Sequence, residues 1–295
     1  MAGPKAGLAA STKGILCILG SGAIFSFTDA VSKVMMDDYP VGEVIFFRSL
    51  FVLLFAIGTI YYQGGWKTVR VVDWRRQAAR GFNIALTGIC FMFALKRVPL
   101  ADMTAMVFLG PLILTALAPY FLGERVGWRR WTAVVIGFGG VVFIVDPSGQ
   151  GPLWPLLLAA CVPFLTSTRD ILTRKLGKTD SANATVLIST SCTVISGAML
   201  LSLGWVTPDL YGMALFALTG CLQGVAQFLT VYAFVYGEAV VVTPFRYFMI
   251  IWATMYGYIF FAHIPRMETF IGAAIVSASG LYIFYRETKV KGRRA

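Results

Sequence analysis

Four charged residues lie within long apolar segments, where burying a charge is costly. Asp29 and Lys33 are four residues apart, so on a helix they lie one turn apart and can pair. Arg48 and Arg246 lie in two other apolar segments. Ionisable residues within membrane spans are rare and commonly line solute or ion pathways. The pattern therefore predicts a protein that moves a solute through a membrane.

Five charges of alternating sign lie near helix ends that we predict on one side of the membrane. They are Asp29, Lys33, Glu43, Arg48 and Asp102. One interpretation is an external gate held by ion pairs, with the carboxylates available for proton coupling. The other is a group of interfacial anchors that neutralise one another, because charge costs little near span ends.

Polar side chains recur at helical spacing in two apolar segments. They are Asn83, Thr87 and Cys90 in the first segment, and Thr219, Gln223, Gln227 and Thr230 in the second. The stripes fit either opposite walls of one polar cavity or hydrogen bonds between helices. We predict that Asn83, Thr87, Gln223 and Gln227 line a cavity and contact the substrate.

Arg246 follows Thr243–Pro244, where proline leaves the helix one backbone donor short. The guanidinium suits a substrate carboxylate or phosphate, although an anchor at the cytoplasmic surface would also carry arginine here. Three aromatic residues complete the predicted substrate site, namely Phe91, Tyr247 and Trp252. Trp252 falls in the middle of its segment, where its indole could hold a cationic or aromatic group.

The composition fits an all-α polytopic membrane protein. Hydrophobic residues make up 58% of the 295 residues and charged residues only 13%, about half the fraction of a soluble domain. About ten segments are long enough to span a bilayer. We predict helices over 14–36, 44–62, 79–96, 101–121, 130–145, 152–172, 183–204, 211–236, 240–262 and 268–285.

The basic residues set the predicted orientation. With the N-terminus in the cytoplasm, 19 of the 25 Lys and Arg residues fall in cytoplasmic segments and three on the opposite side. This asymmetry is the positive-inside signal, and it places both termini in the cytoplasm. Because the net charge of +11 resides in these loops, it does not indicate nucleic-acid binding.

The chain contains a weak internal repeat. The stretch from Ser26 to Lys33 resembles the stretch from Ser167 to Arg174, 141 residues later. We predict two repeats of five helices, residues 1–148 and 149–295. Because five is odd, the second repeat enters the membrane inverted, an arrangement common in secondary transporters.

Several segments resemble the EamA-type repeat of the drug/metabolite transporter superfamily. They are Pro99–Ala105, Pro111, Phe121–Arg125, Trp131 and Gly137–Val142, with weaker echoes at Tyr232, Pro244–Tyr247 and Gly272–Gly280. His263 departs from the pattern, since the family often has an acidic residue there. The resemblance implies ten helices, inverted repeats and transport without ATP hydrolysis. The Pro99–Asp102 and Gly127–Trp131 segments are similar to importers of S-adenosylmethionine-like metabolites.

Taken together, these features predict a secondary transporter that carries a small amino-acid-like or S-adenosylmethionine-like zwitterion by alternating access. An exporter of quaternary amines, vitamins or drugs is the alternative within the same fold. An intramembrane enzyme or a receptor subunit is disfavoured, because no metal-ligand spacing or catalytic motif is present. We expect no cofactor, a monomer or homodimer, and location in a bacterial-type inner membrane.

The positive-inside asymmetry predicts that Ala295 lies in the cytoplasm. A reporter enzyme that is active only in the periplasm, fused after Ala295, should therefore give no signal. The same reporter placed in the predicted outer connection near Gly204 should be active. Activity of the C-terminal fusion would contradict the predicted orientation.

Overall fold

The computed structural model describes residues 8–123, 126–145, 154–176, 180–237 and 239–292. These residues are almost entirely helical, and the described ranges contain no strand. The helices are α1 (Leu8–Asp38), α2 (Val41–Tyr62), α3 (Trp74–Arg97), α4 (Leu100–Val107), α5 (Gly110–Leu122), α6 (Trp128–Val145), α7 (Trp154–Leu176), α8 (Ala182–Leu200), α9 (Leu210–Tyr236), α10 (Ala239–Val242), α11 (Met249–Phe261) and α12 (Met267–Gly292). Short 3-10 segments occupy Gly65–Thr68, Leu201–Leu203 and Thr243–Phe248.

Within the described ranges, eight helical segments are long and apolar enough to cross a membrane. They are Thr12–Asp38, Val41–Tyr62, Trp74–Arg97, Leu100–Phe121, Trp154–Thr173, Ala182–Leu203, Leu210–Tyr236 and Met267–Arg286. The prediction of an all-α polytopic membrane protein is therefore confirmed. The number of ten spans stays a prediction.

Two of the predicted helices are interrupted. The segment predicted over 101–121 divides into α4 and α5, with the break just before Gly110–Pro111. The segment predicted over 240–262 begins with the single turn α10 and continues through the 3-10 segment before α11, with Pro244 in that segment's first turn. Proline lacks an N–H and its ring clashes with the preceding helical turn, which accounts for the local breaks in both segments. The segment predicted over 101–121 still forms one span, Leu100–Phe121.

The helices pack as an antiparallel bundle with a regular pattern of neighbours. The largest contacts join α1 to α9, α3 to α7, α2 to α8, and α6 to α12, while α4 packs on α11. We call the end with the α1–α2, α3–α4 and α8–α9 connections the outer end. The opposite end, which carries the first turn of α1 and the last turn of α12, is the inner end.

Small residues bring the helix backbones close together. A Cβ atom at Gly140 of α6 would lie 3.0 Å from the carbonyl oxygen of Gly272 in α12. A Cβ atom at Gly197 of α8 would lie 2.6 Å from the backbone nitrogen of Phe46 in α2. Lipid supplies no hydrophobic force between helices, so close contact through small residues is a main source of association.

The α6–α12 contact predicts that Gly140→Leu destabilises the protein. The new side chain would meet the α12 backbone, and such overpacking typically costs about 1–3 kcal/mol. The matched control is Gly139→Leu on the same helix, because a Cβ atom there meets nothing within 4 Å. Thermal unfolding in detergent should show a lower melting temperature for Gly140→Leu alone. Equal melting temperatures for the two variants would contradict the close contact.

Candidate functional site

A buried arginine joins three helices near the outer end. The Arg48 guanidinium on α2 donates from Nη2 to Oδ1 of Asp29 at 3.0 Å and from Nη1 to Oγ of Ser32 at 3.0 Å. Its Nε donates to Oε1 of Gln223 on α9. We call Asp29, Ser32, Arg48 and Gln223 the outer latch, since together they tie α1, α2 and α9.

Charge neutralisation explains how the outer latch tolerates burial. The side chains of Arg48 and Asp29 are only 7% and 9% exposed. A buried ion pair is stable only when its geometry is good and its remaining donors are satisfied. Asp29 supplies the opposite charge, while Ser32 and Gln223 accept two further hydrogen bonds. Asp29 thus pairs with Arg48 rather than with Lys33, the partner that its spacing on α1 also allowed.

The other predicted gate residues form two separate groups at the outer end. Lys33 donates to the carbonyl oxygen of Val98 and lies over the ring of Phe261. Asp102 accepts from Oγ1 of Thr269 at 2.8 Å and lies within electrostatic range of Lys33. Glu43 accepts from the backbone nitrogen of Val206 at 3.0 Å. The five charges therefore occupy one end of the bundle but do not form a single network.

A second charged group lies toward the inner end. We call it the inner cluster, and it consists of Arg80 on α3, Arg169 and Asp170 on α7, and Arg246 in the 3-10 segment. Arg169 donates from Nη2 to Oδ1 of Asp170 at 2.8 Å. Arg80 and Arg246 both lie within electrostatic range of Arg169 and Asp170. Three cations thus face one carboxylate, which leaves an excess of positive charge.

The two ends differ in solvent access. The Arg169 and Asp170 side chains are 34% and 48% exposed, several times more than the buried pair of the outer latch. Arg246 is also exposed. Because these residues from α3, α7 and the 3-10 segment interact with one another, their exposure indicates an opening between helices rather than contact with lipid. The charged pair near the outer end is thus buried and the pair near the inner end half-exposed, while a cavity of about 300 Å³ lies between the outer connections, lined in part by Pro40, Lys96 and Leu200.

The two polar stripes do not meet in the predicted way. Gln223 turns toward Arg48 in the outer latch, and no packing contact of the described residues joins α3 extensively to α9. Thr87 donates to the carbonyl oxygen of Asn83, one turn earlier in α3. Asn83 is buried, and its Oδ1 has no hydrogen-bond partner in the described part of the chain. Gln227 is half-buried on α9.

The aromatic candidates surround the broken segment before α11. The Tyr247 ring packs edge-to-face on Phe108, with ring centroids 4.9 Å apart. Trp252 packs against α1 near Gly22, and its buried Nε1 has no hydrogen-bond partner among the described residues. Phe91 packs against the core from α3. These rings lie in the bundle interior, away from the aromatic residues of the surface.

The sequence reasoning missed two members of the inner cluster. Arg80 and Arg169 were counted only as topology signals in cytoplasmic segments. Arg80 nevertheless continues the polar stripe of α3, three residues before Asn83 and seven before Thr87. That spacing was the available signal. Two predictions lie outside the described residues, namely the Glu124–Arg125 segment of the family resemblance and the repeat boundary at 148/149.

A comparison with known protein families identifies the first half of the chain. Residues 12–146 match the EamA-like transporter family. This segment is similar to an EamA-like domain. The resemblance to EamA-type drug/metabolite transporters is therefore confirmed.

Similar proteins extend the match over nearly the full chain. A riboflavin transporter of Rhizobium johnstonii is 29% identical over 279 residues, covering 94% of this chain and 92% of that protein. An S-adenosylmethionine uptake transporter of Rickettsia bellii is 26% identical and covers 91% of this chain and 92% of that protein. A protein of known crystal structure has the same fold, with a TM-score of 0.65, 15% identity and coverage of 94% and 96%. Family and relatives together indicate a multi-pass membrane transporter of a small metabolite rather than an enzyme.

The outer latch predicts that Arg48→Met strongly destabilises the protein. Removing the guanidinium leaves Asp29 buried without a counter-charge, and breaking a buried pair typically costs about 3–5 kcal/mol. The control is Arg129→Met, which removes an exposed arginine that stacks on Trp128. Thermal unfolding in detergent should show a large fall in melting temperature for Arg48→Met and little change for the control. Similar behaviour of the two variants would contradict a structural role for the latch.

Proposed function

We propose that the protein is a secondary carrier that moves a small zwitterionic metabolite by alternating access. The carrier has ten transmembrane helices, arranged as two inverted repeats of five over residues 1–148 and 149–295. Both termini lie in the cytoplasm of a bacterial-type inner membrane. On this orientation the inner end, with its half-exposed charged cluster, faces the cytoplasm.

The pattern of helix neighbours supports the inverted repeat. Exchanging the two repeats pairs α1 with α7, α2 with α8, α3 with α9 and α6 with α12. The α1–α9 contact then becomes the α7–α3 contact, and both occur. The α2–α8 and α6–α12 contacts map onto themselves, as expected at a two-fold axis. The breaks before α5 and α11 also correspond, and transporters commonly build substrate sites at broken helices.

The observation that carries the substrate class is the half-exposed Arg169–Asp170 pair, with Arg246 within electrostatic range of Asp170. An amino-acid head group presents a carboxylate and an ammonium a few ångströms apart. Arg246 can donate to the carboxylate in a bidentate manner. The two oxygens of Asp170 can accept from the ammonium while retaining another donor. The excess positive charge of the inner cluster favours a ligand whose carboxylate enters first.

The remaining candidates complete the site in this proposal. Asn83 and Thr87 on α3 and Gln227 on α9 supply neutral polar contacts along the pathway. Phe91, Tyr247 and Trp252 form the apolar wall that holds the rest of the substrate. The unpaired Nε1 of Trp252 is a buried donor, and an orphaned donor costs about 1–3 kcal/mol until a partner arrives.

The relatives are named as transporters of two chemically different substrates, and the charged site can distinguish between them. S-adenosylmethionine carries an amino-acid head group and a sulfonium, so it offers a partner for both Arg246 and Asp170. Riboflavin is neutral and lacks such a head group. The charged inner cluster favours the zwitterion. We therefore place S-adenosylmethionine-like compounds and amino-acid-like metabolites ahead of flavins.

Counterflow into proteoliposomes tests this proposal. We expect vesicles with the protein in their membrane to accumulate labelled S-adenosylmethionine. Riboflavin should not compete with this uptake. Asp170→Asn and Arg246→Gln should each lower the apparent affinity about tenfold or more, since a hydrogen bond to a charged group contributes about 1.5–3 kcal/mol. Arg129→Gln is the control, because it removes an exposed charge outside the inner cluster.

Two results would contradict the zwitterion. Competition by riboflavin with no effect of S-adenosylmethionine or amino acids would favour a flavin substrate. Unchanged affinity in monodisperse Asp170→Asn and Arg246→Gln would remove the inner cluster from the substrate site.

A further inference from the structure

The outer latch and the inner cluster occupy corresponding positions in the two repeats. The offset of 141 residues relates Asp29 to Asp170 and Ser32 to Thr173. The same offset relates Arg48 to Ser189. Asp29 lies nine residues from the outer end of α1, and Asp170 lies six residues from the inner end of α7. At about 1.5 Å per residue, both carboxylates lie roughly 9–14 Å inside the bundle.

The contacts of Arg80 at the inner end correspond to most of the contacts of Arg48 at the outer end. Its Nε donates to Oγ1 of Thr173 at 2.8 Å, and its Nη1 donates to Oγ of Ser189. Thr173 occupies the position of Ser32, and Ser189 occupies that of Arg48. Arg80 itself lies on α3, the counterpart of α9, which contributes Gln223 to the outer latch. One arginine therefore joins α1, α2 and α9 at the outer end, and another joins their counterparts α7, α8 and α3 at the inner end.

One contact of the outer latch is missing from the inner set. Asp29 is bonded to Arg48, whereas Asp170 is bonded to Arg169, its neighbour in sequence. The Arg169–Asp170 pair is half-exposed, and exposed pairs contribute only about 0–1 kcal/mol. Asp170 can therefore exchange this partner at little cost. Arg80 is already within electrostatic range of Asp170 and held by two hydroxyl acceptors.

We propose that Arg80 is the positioning residue of the inner gate, and that it takes Asp170 from Arg169 when the inner end closes. The closed inner gate then consists of Asp170, Thr173, Ser189 and Arg80, as the closed outer latch consists of Asp29, Ser32, Arg48 and Gln223. Opening of the outer end releases Asp29 from Arg48. The proposal rests on alternating access, because the two gates close in turn.

The gate is compatible with a bound head group. The Asp170 carboxylate has about four acceptor sites, enough for a guanidinium and an ammonium together. Arg246 binds the substrate carboxylate and so no longer competes with Arg80 for Asp170. Substrate binding thus removes one of the three cations that face the carboxylate.

A buried reporter cysteine tests the coupling of the two gates without any substrate. Met36 lies on the same face of α1 as Asp29 and Ser32, nearer the outer end, and it is fully buried. The reporter is Met36→Cys in a variant whose five native cysteines are replaced by alanine. The measurement is the rate of maleimide labelling of purified, monodisperse protein in detergent.

Asp29→Asn should raise the labelling rate about tenfold. Loss of one charge-assisted hydrogen bond shifts the equilibrium of the outer end from closed toward open by about that factor. Adding Arg80→Gln to Asp29→Asn should lower the labelling rate again. The inner end can then no longer close, and its closure must accompany opening of the outer end. Adding Arg80→Lys should leave labelling fast, because the cation is restored. Adding Arg75→Gln should also leave it fast, since Arg75 is an exposed arginine in the first turn of the same helix.

The direction of the Arg80→Gln effect separates gating from a purely structural role. A variant that merely loosens the fold would label as fast as Asp29→Asn alone, or faster, and that result would overturn the proposal. Unchanged labelling of Asp29→Asn would overturn it as well, because the outer latch would then not hold the outer end closed. Failure of the zwitterion to bind would leave the labelling result intact, so the two proposals fail separately.

Discussion

Burial of the Arg48 guanidinium constrains the arrangement of the outer end. A guanidinium cannot be neutralised by losing a proton, so it requires an anion and several acceptors from its surroundings. Asp29 and Ser32 come from α1 and Gln223 comes from α9. The position of Gly220 in α9 permits this reach, because a Cβ atom there would lie 2.7 Å from the carbonyl oxygen of Arg48. Close backbone packing and charge neutralisation therefore support each other.

The inner cluster lies on other helices, α3 and α7 with the 3-10 segment, and has a different charge balance. Three arginines face Asp170, and the pair that does form is half-exposed. The broken segment contributes Arg246, because Pro244 interrupts the helix and Arg246 lies in the 3-10 turn that follows. A half-exposed group with excess positive charge at one end and a buried, neutralised group at the other therefore distinguish the two ends of the bundle.

Much of the fold could be predicted from local sequence, because lipid imposes strong rules on every span. Long apolar runs predicted the helices, and the described helix ends mostly fall within a few residues of the predictions. Local breaks near Pro111 and Pro244 divide two of the predicted helices. The candidate site was harder, since a helical stripe shows which residues share a face but not which helix that face meets. Gln223 was predicted to face α3 and instead bonds Arg48.

By itself, the sequence determined that lipid surrounds the protein, that the fold is helical, and which charged residues lie within the membrane. Each of these depends on composition and short-range spacing. Only the tertiary structure decided that Asp29 pairs with Arg48 rather than with Lys33, although Lys33 lies one turn away on the same helix. It also decided that Arg80 and Arg169 join Asp170 and Arg246. The physical reason is that a buried charge selects its partner by the total balance of desolvation and hydrogen bonding, which neighbouring helices provide.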